Sequence, residues 1–138
     1  MDINHVGLKA IYSNTFESCG QLRRLNARGN NITLITEDSL QYCTELTHID
    51  LSQNYIKQLH SKVFSFNTKL TTIIINNNLI TSIEPCQNVL QQLKDLKYLA
   101  LKENMCVNNL FDDENLHSNF ERLALNDLNV CFGFWYMY

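Results

Sequence analysis

The sequence has little of several features that would point to common classes of function. Its 138 residues include one proline and four glycines, which leaves little room for a flexible linker between domains. No run reaches the length of about eighteen apolar residues that a transmembrane helix needs, so we predict no membrane span. The opening MDINHVGLKA lacks the continuous apolar core of a secretory signal. The net charge is −3, so the composition predicts no strong attraction to nucleic acid.

Motifs for catalysis and metal binding are also missing. The five cysteines and four histidines form no Cys-x-x-Cys or His-x-x-x-His pair, so we expect no zinc site. There is no glycine-rich phosphate loop. His48 and Asp50 fall close together, and Asp50 is placed to orient His48, but no Ser or Cys nucleophile accompanies them. We therefore expect a protein that is not an enzyme and that uses no cofactor.

The sequence does contain a repeated nine-residue pattern. Leu46 to Asn54 reads LTHIDLSQN, which has the form L-x-x-I-x-L-x-x-N, and similar segments begin at Leu22, Leu70 and Leu96. These starts are 24, 24 and 26 residues apart. Inside each segment, two inward side chains flank an outward one, which predicts a short strand. A fixed period in the twenties indicates a solenoid of stacked turns.

This pattern resembles the leucine-rich repeat family, from Met1 to about Cys106. The regular 24-residue turn, with Phe or Leu on the convex side and Cys at Cys19 and Cys43, is similar to the typical subfamily of extracellular receptors. The Asn-rich turns are similar to insect extracellular leucine-rich repeat proteins, including the leucine-rich immune proteins of mosquitoes. The resemblance implies an α/β solenoid, which is a horseshoe segment with a parallel concave β-sheet, an irregular convex side and a C-terminal helical cap.

The repeats set the predicted division of the chain. It comprises a partial repeat at 1–21, repeats at 22–45, 46–69 and 70–95, and a last strand at 96–104. In the partial repeat, Val6 stands where later repeats have asparagine. A solenoid end needs a polar cap, and none precedes Ile3. Either the chain is a fragment whose signal peptide and cap lie upstream, or an atypical first turn caps itself. An open solenoid end also offers a surface for an oligomer.

The convex side is predicted to bury a column of large side chains, Phe16, Leu40, Phe64 and Leu90. The fourth repeat is two residues longer, and we place its insertion near Glu84 to Gln87. Cys19 and Cys43 take the same inward position in successive turns. Because we expect their side chains to run parallel, we predict two small buried side chains that are not bonded to each other.

An asparagine closes each nine-residue segment. In the family that the sequence resembles, the equivalent asparagine turns inward and hydrogen-bonds the backbone of neighbouring turns. The ladder implied here consists of Asn30, Asn54, Asn78 and Asn104. It satisfies buried amides that would otherwise cost about 1 to 3 kcal/mol each.

The pattern breaks after Asn104. Apolar residues at helical spacing predict a C-terminal cap at 105–131 with a helix at about 113–124. The caps of extracellular leucine-rich repeat proteins resemble this segment, and the resemblance implies a disulfide between Cys106 and Cys131. Cys106 also holds an inward repeat position, so a buried free thiol is the alternative. An uncharged aromatic tail follows at 132–138.

Outward strand positions predict the binding surface. Stacked strands lie about 4.8 Å apart, so their outward side chains form columns on one concave face. Outward positions in a repeat are polar by default, but Arg and Tyr often anchor protein interfaces, and an exposed Ile is unusual there. The predicted binding residues are Arg24, Asn26, Arg28, His48, Asp50, Ser52, Thr72, Ile74, Asn76, Tyr98 and Lys102.

These features predict a protein–protein recognition module. The resemblance implies a secreted or cell-surface protein with an innate-immune or receptor-type role and a protein ligand. A cytosolic scaffold is the alternative, and it agrees with the missing signal. The glycosylation sequon Asn31-Ile32-Thr33 matters only if the chain is extracellular.

Overall fold

The repeats stack into successive turns with a parallel sheet on one side. A computed structural model describes residues 1–60, 62–83, 92–105 and 110–112. Four strands form the concave sheet: β2 (Arg24–Asn26), β4 (His48–Asp50), β6 (Thr72–Ile74) and β8 (Tyr98–Ala100). Four shorter strands lie further along the turns: β1 (Ala10–Ile11), β3 (Leu34–Ile35), β5 (Gln58–Leu59) and β7 (Ser82–Ile83). The last described strand is β9 (Leu110–Asp112).

The concave sheet has the register that the repeat predicts. Leu25 pairs with Ile49, Ile49 with Ile73, and Ile73 with Leu99, all in parallel strands. The four side chains are at most 3% exposed, so they form one inward column. Equivalent residues of successive repeats therefore lie side by side, which confirms the predicted leucine-rich repeat solenoid.

The other inward positions fill a single core between the two sides of the turn. Phe16, Leu40 and Phe64 are all buried. Leu90, the fourth member of the predicted column, lies outside the described residues, as does the predicted insertion at Glu84 to Gln87. Two short parallel sheets, β1 with β3 and β5 with β7, join neighbouring turns beyond the concave sheet. Their two-residue strands are the only regular structure that the described residues show there.

An asparagine ladder ties each turn to the one before it. Asn54 is 5% exposed; its Oδ1 accepts from the Ile32 N–H at 3.0 Å, and its Nδ2 donates to the Ala27 and Leu51 carbonyls. Asn78 and Asn104 repeat this arrangement one and two turns later. Asn30 begins it, since its Oδ1 accepts from the backbone N–H groups of both Val6 and Leu8.

The residue before each ladder asparagine, and the residue before Val6 at the equivalent position, has a left-handed backbone conformation. At the asparagines this turn directs the side chain inward. The φ angles are +51° at His5, +67° at Gly29, +55° at Gln53, +54° at Asn77 and +57° at Glu103. Glycine suits this conformation best. At Gly29 a Cβ would also lie 2.1 Å from the Cε1 atom of the exposed His5 ring, which would have to move aside.

The prediction that Cys19 and Cys43 are not bonded to each other is wrong. A disulfide joins them, and both residues are buried at 6% and 0% exposure. Stacking brings their Cα atoms to 5.0 Å, inside the range of about 4.4 to 6.8 Å that disulfides span. Parallel Cα–Cβ vectors do not prevent the bond, because rotation about each of them turns the sulfurs towards each other. The bridge links the first two turns covalently.

The two ends of the concave sheet differ. At one end Asp2 forms a parallel bridge with Asn26, and the Ile3 N–H donates to the Asn26 carbonyl at 2.9 Å. At the other end β9 pairs antiparallel with β8, placing Phe111 opposite Leu99. The predicted helix at 113–124, the Cys106–Cys131 bridge and the tail at 132–138 lie outside the described residues.

Candidate binding surface

The strand register arranges the predicted binding residues in three columns on the concave face. The first column runs Arg24, His48, Thr72, Tyr98, and the second runs Asn26, Asp50, Ile74, Ala100. The third follows the strands and contains Arg28, Ser52, Asn76 and Lys102. The structure thus brings the predicted residues together on one face, although they are spread over 79 residues of sequence.

The first column offers the most varied side chains. Arg24 is exposed, whereas His48, Thr72 and Tyr98 are half-buried among their neighbours. The Nδ1 atom of His48 lies 2.8 Å from the Thr47 hydroxyl. Burial, and secondarily the positive charge of Arg24, hold the pKa of His48 below its ordinary value. His48 therefore favours the neutral form, which both donates and accepts hydrogen bonds.

Polar residues of the second column also stabilise the turn that follows them, which was not predicted from the sequence. Asp2, Asn26 and Asp50 each accept, through Oδ1, the backbone N–H two residues later, at 3.1, 3.1 and 2.8 Å. Asp and Asn favour this local bond, which turns the chain out of the strand. The sequence signal for this bond is an Asp or Asn that recurs two residues after the outward position of the first column.

Two members of the predicted surface are less available than expected. Ser52 is 4% exposed, and its hydroxyl donates to the Asp50 carboxylate at 2.5 Å. The Ser52 N–H and hydroxyl thus both donate to Asp50 Oδ1, and His48 lies beside the Thr47 hydroxyl instead. Ile74 is half-buried rather than exposed, and Ala100 beside it is completely buried. These two residues make the far half of the second column shallow and apolar.

Exposed cations lie at both ends of the face, with Arg24 and Arg28 at one end and Lys102 at the other. Arg24 and Arg28 are both exposed, and Arg28 Nε donates to Gln53 Oε1 at 3.2 Å. Glu37 pairs with His60 and Lys62, and Glu45 with Lys69, and these ion pairs lie outside the three columns. Of the acids on the face, Asp2 and Asp50 each already accept through Oδ1 the backbone N–H two residues later. The Arg24 and Arg28 end of the face therefore presents cations to a ligand.

In the described part of the chain, no group of three or more His, Cys, Asp or Glu side chains is placed to hold a metal ion. Nor does a helix there have the length and apolar character needed to cross a membrane.

Comparison with known proteins agrees with this geometry. The family model described as "BspA type Leucine rich repeat region" matches residues 2–117 in six copies. No curated protein sequence matches the chain. Among solved structures, the chain is similar to one chain of the "Structure of the Toll - Spatzle complex, a molecular hub in Drosophila development and innate immunity", with a TM-score of 0.66 and 23% sequence identity. The match covers 70% of the present chain and 13% of that chain. A likeness at this identity shows the fold alone, so the resemblance to insect extracellular proteins stays a prediction.

Proposed function

The chain belongs to the BspA-type leucine-rich repeat family, and from that premise we propose that it is a protein-recognition module whose concave face binds a segment of a partner protein. The observation that carries this proposal is the continuous register of Arg24, His48, Thr72 and Tyr98 across four strands. A ligand lying across the strands meets cationic, neutral polar and aromatic side chains in succession. Such variety along one face favours a polypeptide over a small molecule.

The charge distribution defines the chemistry of the partner segment. Arg24 and Arg28 can each form two parallel hydrogen bonds with a carboxylate, which makes them suited to Asp or Glu side chains. Ile74 and Tyr98 offer apolar area at the other end of the face. We therefore expect the partner to place acidic residues over β2 and apolar residues over β6 and β8.

We further propose that this recognition takes place outside the cell. The Cys19–Cys43 disulfide supports an oxidising compartment, because such bonds are rare in the cytosol of most organisms. The similar fold in a complex described as a hub of innate immunity supports a receptor-type or immune role. A cytosolic scaffold would instead keep both thiols reduced.

A site-specific photo-crosslinker tests the proposed face. Benzoylphenylalanine replaces Tyr98 on the concave face, or Tyr42 on the convex side as a matched aromatic control; Tyr42 is 46% exposed. Each protein is irradiated in extracellular fluid of the source organism, and adducts are identified by mass spectrometry. We expect a protein adduct from position 98 that position 42 does not give.

Charge reversal then tests the partner's chemistry. Arg24→Glu combined with Arg28→Glu should abolish the adduct from position 98, whereas Lys57→Glu, an exposed cation outside the columns, should leave it unchanged. Equal adducts from positions 98 and 42, or insensitivity to the double reversal, would contradict the proposal.

A further inference from the structure

The single glycosylation sequon of the chain, Asn31-Ile32-Thr33, lies at a place that the binding face does not use. Asn30 and Asn31 are adjacent but have opposite surroundings. Asn30 is 2% exposed, and its amide is engaged by the backbone of the first two turns. Asn31 is exposed, and no described residue hydrogen-bonds its side-chain amide; only its backbone N–H is engaged, by the Leu8 carbonyl at 2.9 Å.

The rest of the sequon is also placed to leave the Asn31 amide in solvent. Ile32 points into the core with 0% exposure, so the residues on either side of it face outward. Thr33 is exposed, and its backbone N–H donates to the Lys9 carbonyl at 3.0 Å. The segment lies between β2 and β3, beyond the ladder, so a large group on Asn31 would not cover the three concave columns.

A tyrosine holds the equivalent position on the next turn. Tyr55 is the residue equivalent to Asn31 one repeat later, and its backbone N–H donates to the Ile32 carbonyl at 2.9 Å. Backbones joined in this way are about 5 Å apart. Tyr55 is 51% exposed, so much of its side chain is open to solvent one turn away from Asn31. An apolar ring face at this distance can cover the C–H face of a sugar attached to Asn31.

We propose that Asn31 carries an N-linked oligosaccharide whose first sugar packs against Tyr55. The side-chain nitrogen of Asn31 displaces a lipid diphosphate from the anomeric carbon of a lipid-linked oligosaccharide. A carbon–nitrogen bond forms, the carbon–oxygen bond to the diphosphate breaks, the amide loses one proton, and the lipid diphosphate leaves. This inference rests on the extracellular part of the proposed function, for which the Cys19–Cys43 disulfide is a separate observation.

One tryptic peptide reports on both the glycan at Asn31 and the Cys19–Cys43 disulfide. Trypsin cleaves after Arg28 and Lys57, and the peptide between them contains Asn31 and Cys43 and no other cleavage site. The protein is purified from its natural source without reduction, digested, and treated with an amidase that converts glycosylated Asn to Asp in heavy-oxygen water. We expect labelled Asp at position 31, and a disulfide from this peptide to the one containing Cys19.

The outcomes separate the two proposals. A disulfide-linked peptide with unmodified Asn31 overturns the glycan and leaves the extracellular role standing. Free thiols together with unmodified Asn31 overturn both.

The packing on Tyr55 is tested by melting with and without the glycan. Enzymatic removal of the glycan should lower the melting temperature of the wild-type protein by about 3 °C. In Tyr55→Ala this drop should disappear, in Tyr55→Phe it should return, and in Tyr42→Ala, a change at a similarly exposed tyrosine elsewhere, it should persist. The same drop in Tyr55→Ala as in the wild type would overturn the sugar–ring contact.

Discussion

Asn54 shows how a single side chain can join successive turns of a solenoid. Its Oδ1 accepts from Ile32 in the preceding turn, while its Nδ2 donates to Ala27 in that turn and to Leu51 in its own. All of these backbone groups are buried with it and have no access to water. The amide geometry is therefore more important than the volume of the side chain.

Replacing Asn54 with Leu should lower the free energy of unfolding by about 3 kcal/mol or more, since each stranded buried group costs about 1 to 3 kcal/mol. Urea denaturation followed by circular dichroism measures the loss. Asn14→Leu is the control, because Asn14 is exposed. A loss no larger than that of the control would mean that the ladder contributes nothing to stability.

His48 provides a second test at the scale of one residue. Its lowered pKa has burial as the larger cause and the Arg24 charge as the smaller one. Arg24→Gln should therefore raise the pKa of His48 but leave it below the ordinary value of 6.5. Proton NMR of the imidazole as a function of pH measures this. Arg28→Gln, which removes a charge that does not act on His48, should leave the titration unchanged.

The lowered pKa of His48 also determines the direction in which the free energy of unfolding changes with pH. The unfolded chain binds a proton at His48 more readily than the folded one. The contribution of His48 to the free energy of unfolding is therefore complete above pH 6.5. It is lost as the pH falls from there towards the folded-state pKa, and it does not change further below that value.

Some residue-scale features follow from the repeat and others do not. Spacing alone identifies which side chains face inward, because a strand alternates and the repeat copies that alternation. It does not give rotamers, and the Cys19–Cys43 bond depends on rotamers. It also cannot show that the Ser52 hydroxyl turns back to Asp50 and leaves the surface. Both differences arise from side-chain torsions, which the sequence pattern does not record.

At the scale of strands, the sequence predicts the long-range pairing well and the short strands poorly. The concave strands are each predicted by a Leu-x-x-Ile-x-Leu pattern or a close variant of it, such as LRRLNA at Leu22. The two-residue strands, such as Leu34–Ile35, have too few residues for any alternation to show. β9 was missed for a different reason. It pairs antiparallel and follows the last repeat, so no periodicity refers to it.

The pairing of β9 predicts a measurable protection of the sheet edge. The Tyr98 N–H donates to the Thr71 carbonyl, so strand alternation turns the next N–H, that of Leu99, towards β9. Phe111→Pro should disturb β9 and speed amide hydrogen exchange at Leu99 by about fivefold, as expected for losing a bond worth about 1 kcal/mol. Amides of β4, three strands away in the sheet order, are the internal control. Unchanged exchange at Leu99 would show that β9 does not protect the edge.

For the whole molecule, the stacked arrangement restricts each turn to contacts with its neighbours. Stability in such a chain is close to a sum of turn and interface terms, so a local change acts mainly on the turns that it touches. The first turn has Val6 in place of a ladder asparagine, and Val6 is 64% exposed. Asn30 and the disulfide join this turn to the next one. The bridge therefore adds a covalent link to the hydrogen bonds of Asn30.

Two destabilising variants should therefore accelerate amide exchange in different parts of the molecule. Removing the bridge with Cys19→Ala and Cys43→Ala releases a constraint across 24 residues, worth about 3 kcal/mol. Ile49→Ala, at a fully buried position in the middle of the sheet, costs about 2 to 5 kcal/mol. Although the losses are similar, amide exchange should accelerate mainly in residues 1–21 for the first variant, and in the turns on both sides of β4 for the second.

The comparison depends on where the exchange changes, not on its size. The bridge joins the turn at 1–21 to the next turn alone, whereas Ile49 lies against both Leu25 and Ile73 in the adjacent strands. If the cysteine variant accelerated exchange equally through all the described repeats, the turns would unfold as one block. Nearest-neighbour stacking would then fail as the account of how this chain is held together.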